Sequence, residues 1–107
     1  MDVERLIADL SDSGDLLPFR RLVRPLVEHD RARGSDLVKT LRTYFAAGAN
    51  ATEAADRLYL HRNSMAYRLE RIGRLTGLDL RDHNVALALQ LGLLSIKRGD
   101  ADEAEHS

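Results

Sequence analysis

The chain has 107 residues, 44% of them apolar and 31% charged, and a net charge of −1, which describes one ordinary globular domain able to bury a core without staples. It contains no cysteine, so disulfides, thiolate metal sites and cysteine nucleophiles are excluded, and a reducing cytosol suits it. The longest apolar run, "VALALQLGLLSI", is too short to span a bilayer, and the acid-bearing N-terminus lacks the form of a signal peptide, so a cytoplasmic protein with no membrane partner is expected.

Val3, Leu6, Ile7 and Leu10 recur at three- and four-residue steps and predict a short amphipathic helix, broken by "SDSGD". Phe19, Leu22, Val23, Leu26 and Val27 form a second stripe, in which Pro25 should kink the helix or start a new one. Gly34 closes that segment. Ser35 is the expected N-cap of a helix from Asp36 to about Ala47, with Leu37, Val38, Leu41, Tyr44 and Phe45 inward and Gly48 as its stop. Asn50 followed by Glu53 has the form of a capping box and predicts a brief helix, Ala51 to Leu58. A three-residue turn, Tyr59-Leu60-His61, leads into a helix from Arg62 to about Leu75, closed by Gly77. Asp82 caps a last helix, His83 to about Lys97, which is apolar on nearly every side.

Nothing alternates as a strand. The expected fold class is all-α, five to six short helices containing a helix-turn-helix. Residues 1–34 read as N-terminal helices packing on the core, 35–98 as the helix-turn-helix domain with its motif at 51–75, and 99–107 as an acidic flexible tail. The last helix has two readings: it threads the centre of the domain, or it offers a seam to a second copy or a dock to a sensory domain.

Charge is concentrated in one place. Arg57, Arg62, Arg68, Arg71 and Arg74 are answered between those limits by Glu70 alone. Over 51–75 a short capped helix with the small pair Ala54-Ala55, a three-residue turn and a basic helix follow in order, which is the outline of a DNA-reading helix-turn-helix. Met65, Leu69 and Ile72 make the inward stripe of the second helix, while Asn63, Tyr67, Glu70 and Arg74 point the opposite way with Ser64 and Arg71 beside them. Arginine can pair with both guanine acceptors and asparagine with adenine, so Arg62 and Asn63 are the candidate base readers. Ala66 leaves room for a thymine methyl. Ser64 and Tyr67 can bond phosphates, Arg68, Arg71 and Arg74 would set affinity and its salt dependence, and Thr52 is placed to meet the backbone. Arg68 lies on the flank rather than the tip. His61 is read equally as a structural cap and as a phosphate contact. Tyr59 holds a place where this motif commonly has glycine, so it must avoid strain or tolerate a positive φ.

Other chemistry finds no support. His29, His61, His83 and His106 lack ligand spacing, so no metal is expected. No serine sits in a nucleophile-elbow setting and no glycine run could cradle a nucleotide, so neither catalysis nor a cofactor is expected. Asp79 and Asp82 read as turn and cap residues rather than a catalytic dyad.

The segment "TLRTYFAAGANATEAADRLYLHRNSMAYRLERIGRLTGLDLRDHNVALALQLGLL" resembles the C-terminal helix-turn-helix domain of PucR-type transcriptional regulators. The marks are "TL..YF", "N.TEAA..L", "HRNSMAYRLERI", "LTGLDL" and the leucine-rich last helix, and the resemblance as a whole covers roughly Phe19 to Ile96. The nearest family pattern is "HRNTLxYRLxRI", from which the chain departs at Ser64 and Met65. A large residue at the position of Tyr59 is normal in that family. A more distant similarity is to the DNA-binding end of Fis. The resemblance implies a transcriptional regulator's output domain that binds double-stranded DNA and takes its signal from an effector bound by a sensory region absent from this chain; a homodimer is what the seam reading of the last helix would give. Two alternatives stand beside it: a helical protein–protein module with a basic face, and an architectural DNA-bending protein.

Overall fold

The computed structural model describes residues 2–96 and contains six helices, with no strand among the described residues. They are α1 (Val3–Ser13), α2 (Leu17–Arg33), α3 (Leu37–Ala46), α4 (Ala51–Arg57), α5 (Arg62–Thr76) and α6 (His83–Ser95). The fold is all-α, as the periodicity requires. The expected acidic tail, 99–107, and the end of the last helix at Lys97 lie outside the described residues.

Most helix ends follow from local chemistry. The Asp2 carboxylate accepts from the Arg5 N–H at 3.1 Å and starts α1. The Asp82 carboxylate accepts from the N–H groups of Asn84 and Val85 and starts α6. Asn50 caps α4, its Oδ1 accepting from the Glu53 N–H at 3.0 Å. The reciprocal half of the expected capping box is replaced: Glu53 pairs with Arg57 at 3.1 Å, and the Asn50 N–H bonds the Ala47 carbonyl at 3.3 Å.

Two expectations need correction. Ser35 does not cap α3, whose N-cap is Asp36, and neither of these side chains caps the helix's first N–H groups. The carboxylate of Asp30, on the last turn of α2, accepts from the Leu37 N–H at 2.8 Å and the Val38 N–H at 3.0 Å. Ser35 supports that cap by donating its hydroxyl to Asp30, and His29 Nδ1 lies 2.8 Å from the same hydroxyl. Pro25 does not start a new helix; α2 continues through it as a single element of 17 residues. Proline removes one helical hydrogen bond, but Leu22, Val23 and Leu26 around it are all buried and their packing holds the helix together.

The main core joins residues from five helices: Val3 of α1, Phe19, Leu22, Val23 and Leu26 of α2, Leu37, Val38 and Leu41 of α3, Ile72 of α5, and Val85, Ala88, Leu89 and Leu93 of α6, with Ile96 just beyond it. The N-terminal helices thus share one core with the motif. The last helix packs chiefly on α2, flanked by α1 and α3. Its C-terminal carbonyls are satisfied from elsewhere in the chain, Ser95 by Arg20 and Ile96 by Arg42 at 2.8 Å, the arrangement that favours cations at a helix end. A smaller cluster, Ala47, Ala54, Ala55 and Met65, lies under the motif with Leu58, Leu60 and Leu69 against it.

Candidate nucleic-acid interface

The motif's geometry begins with how α3 and α4 stop. At the end of α3 the Gly48 N–H bonds the Phe45 carbonyl and the Ala49 N–H bonds the Tyr44 carbonyl at 2.9 Å, with Gly48 at φ 68°. At the end of α4 the same pair of bonds recurs: Tyr59 N–H to Asp56 at 3.2 Å and Leu60 N–H to Ala55 at 2.9 Å. Here the left-handed residue is Tyr59, at φ 56°. The closure satisfies the last carbonyls of α4, and Leu60, just after the left-handed residue, packs on the motif's cluster. Tyr59 therefore tolerates a positive φ, one of the two options open to it from sequence. Ala49 is also left-handed, at φ 60°, and nothing in the sequence signalled it.

His61 starts α5. Its Nδ1 accepts from the Asn63 N–H at 3.0 Å, which leaves Nε2 as the protonated nitrogen of a neutral ring. Ala54 and Ala55, both buried, leave room for the crossing of α4 and α5, and Met65 and Ile72 bury the inward side of α5. Thr52, His61, Arg62, Asn63, Ser64, Ala66, Tyr67 and Arg74 are all exposed, whereas Arg68 and Arg71 are half-buried.

These residues fall into distinct groups. Asn63, Ser64, Tyr67, Arg68 and Arg71 line one groove together with Leu60, and its opposite wall is the α2–α3 junction, including His29, Ser35 and Asp36. Tyr67, Glu70, Arg71 and Arg74 surround a second, smaller depression along the helix. Thr52, His61, Arg62 and Ala66 line neither. Arg71 sits 5.9 Å from the centre of the Tyr67 ring, a cation–π contact that orders both side chains. Arg74 pairs with Glu70 at 2.7 Å. Arg68 turns inward and donates to the buried Thr40 hydroxyl at 3.0 Å. The α2–α3 wall is not evident in the sequence because it is apposed through tertiary packing across about thirty residues of chain. Tyr59, 96% exposed beside the start of α5, stands out in the sequence as a conformational oddity and not as a site residue.

Comparison with known proteins places the motif in a family. The profile of the PucR C-terminal helix-turn-helix domain matches residues 37–95, from the first residue of α3 to the last of α6. The chain belongs to that family. As a PucR-type domain it is a helix-turn-helix unit of transcriptional regulators, a DNA-binding class. It is 33% identical over 79 residues to the purine catabolism regulatory protein of Bacillus subtilis (strain 168), covering 74% of this chain and 15% of that protein. It is 36% identical over 73 residues to the carbohydrate diacid regulator of Escherichia coli (strain K12), covering 67% of this chain and 19% of the relative. Against the proline-responsive transcriptional activator PutR of Bacillus subtilis (strain 168) the identity is 25% over 99 residues, 92% of this chain and 24% of the relative. The chain thus spans less than a quarter of the length of these curated relatives. No solved structure matches it.

Proposed function

We propose that this PucR-type domain binds duplex DNA sequence-specifically, with α5 lying in the major groove. The observation that carries this reading is the first turn of α5, where Arg62, Asn63 and Ser64 are exposed together while Met65 and Ile72 anchor the opposite side. Arg62 and Asn63 read base edges; Ala66 faces a thymine methyl. Thr52, His61 through Nε2, Ser64, Tyr67, Arg71 and Arg74 meet phosphates and set the register. Arg68 acts from behind, as a positioning residue tied to Thr40.

The relatives' names tie them to proline, purine catabolism and carbohydrate diacids. By analogy we place this domain at the output end of a cytoplasmic, metabolite-responsive regulator whose effector binds outside residues 2–96. Two copies on a palindromic site would present their α5 helices about 34 Å apart.

The test is selection of bound sites from a random duplex pool, followed by anisotropy titrations on the selected and a scrambled site at two salt concentrations. Arg62→Ala and Asn63→Ala should weaken the selected site and spare the scrambled one. Arg71→Ala should weaken both and reduce the salt slope by about one. Equal affinity for selected and scrambled duplexes would instead mark an architectural DNA binder. No binding of mixed duplex up to about 100 μM at low salt would overturn the reading in favour of a protein–protein module.

A further inference from the structure

Four of the six helices, all but α4 and α6, end in the same way. α1, α2, α3 and α5 are each followed by a glycine in the left-handed region: Gly14, Gly34, Gly48 and Gly77, at φ 65° to 70°. α4 is followed at the equivalent place by Tyr59, at φ 56°. Left-handed backbone disfavours a bulky L-residue and favours glycine. The two bonds that close α4 come from the backbone N–H groups of Tyr59 and Leu60, and glycine at position 59 would make them equally well.

The side chain gives nothing back to the fold. Tyr59 is 96% exposed, the highest value among the large exposed hydrophobic residues, and it belongs to neither hydrophobic cluster. A strained backbone bearing an aromatic ring that touches almost nothing points to a use outside the chain. Its position indicates which use. Tyr59 directly precedes Leu60, which lines the groove with Asn63 and Ser64, and stands two residues before His61, the exposed N-cap of α5. A phenol at that place is a neutral donor beside the end of α5 that enters the groove.

We propose that Tyr59 is a DNA-backbone contact, its phenol O–H donating to a phosphate oxygen of the strand that passes the N-terminal end of α5. This rests on the reading of α5 as a DNA-binding helix and adds to it a contact on the preceding turn. Because the donor is uncharged, it releases no counterion, so it strengthens binding without steepening the salt dependence.

The experiment compares wild type, Tyr59→Phe, Tyr59→Gly and Arg71→Ala by thermal unfolding and by titration of a fluorescein-labelled mixed-sequence duplex at two salt concentrations. Tyr59→Gly should unfold at the same or a higher temperature than wild type yet bind DNA roughly tenfold more weakly, and Tyr59→Phe should show a similar loss of affinity with unchanged stability. Neither variant should alter the salt slope, whereas Arg71→Ala should flatten it. If wild type binds and Arg71→Ala weakens it while Tyr59→Phe binds as wild type does, the phosphate contact is overturned and the DNA-binding reading survives. If wild type does not bind the duplex, both fall. Should Tyr59→Gly lose stability together with affinity, Tyr59→Phe, which keeps the ring, decides between a structural ring and a donating hydroxyl.

Discussion

Arg68 of α5 donates to the hydroxyl of Thr40 on α3 across 3.0 Å, and that hydroxyl donates in turn to the Asp36 carbonyl at 2.7 Å. Thr40 is fully buried and Arg68 half-buried, so the bond fixes the flank of α5 against the helix behind it. Hydrogen bonds to charged groups contribute about 1.5–3 kcal/mol when their loss leaves a partner unsatisfied. Thr40→Val and Arg68→Ala should therefore each lower the melting temperature by several degrees, at about 4–8 °C per kcal/mol for a domain of this size. Arg71→Ala should leave it nearly unchanged while weakening DNA binding. Thermal unfolding beside anisotropy titration checks the contrast. A variant Arg68→Ala with wild-type stability and reduced affinity would instead make Arg68 a phosphate contact.

Gly92 sets how closely α6 approaches α2. A Cβ at that position would stand 2.6 Å from the Phe19 carbonyl oxygen and 3.2 Å from Val23 Cγ1, with backbone rather than a movable side chain as the nearest obstacle. Gly92→Ala should destabilise the domain by about 1–3 kcal/mol through overpacking. Gly73→Ala provides the control, because its Cβ would meet only the Leu78 carbonyl at an ordinary 3.5 Å. There the gain in helix propensity, about 1 kcal/mol at most, should leave stability equal or higher. Urea unfolding of the two variants should shift the midpoint in opposite directions.

The start of α3 offers a test of where its cap resides. Asp30 accepts both the Leu37 and Val38 N–H groups, while the side chain of Asp36, the residue at the N-cap position, bonds neither. Asp30→Ala should cost about 1–2 kcal/mol, and Asp36→Ala no more than about 0.5 kcal/mol. The reverse order in urea unfolding would place the cap on Asp36.

These cases show which parts of the molecule were legible in the sequence. Asn50, His61 and Asp82 cap helices a few residues away, and Leu37, Met65 and Ile72 repeat at helical spacing, so short-range chemistry defined the elements and their inward faces. The exposed first turn of α5 followed from the same periodicity. Asp30 was not legible as the cap of α3, because its carboxylate reaches forward across the turn, past two residues better suited by position. The inward turn of Arg68 was hidden for a related reason: its partner, Thr40, is 28 residues earlier, and a buried threonine looks like any other polar letter on a helix. Pro25 read as a kink or a new start because local preference is against it; the buried residues on either side outweigh that preference enough to keep α2 one element. Tyr59 is a mixed case. Its strain was legible, but its exposure depends on the packing of the whole turn.

Glu70 provides the last test, this one of electrostatics on α5. It is the lone acid on α5 and holds Arg74 at 2.7 Å, with both side chains mostly exposed. Such an i, i+4 pair contributes only about 0.3–0.5 kcal/mol, so Glu70→Gln should leave the fold almost as stable as before. If α5 lies on DNA as proposed, the same change removes a negative charge beside the phosphates and releases Arg74 toward them. Affinity for mixed duplex at low salt should therefore rise, and the slope of log affinity against log salt should steepen by about 0.9 for one more phosphate neutralised. The advantage should fade as salt increases, and it should be absent in the double variant Glu70→Gln/Arg74→Ala. An unchanged slope in the single variant would mean that Arg74 lies beyond reach of the DNA backbone and that Glu70 serves only to pair it.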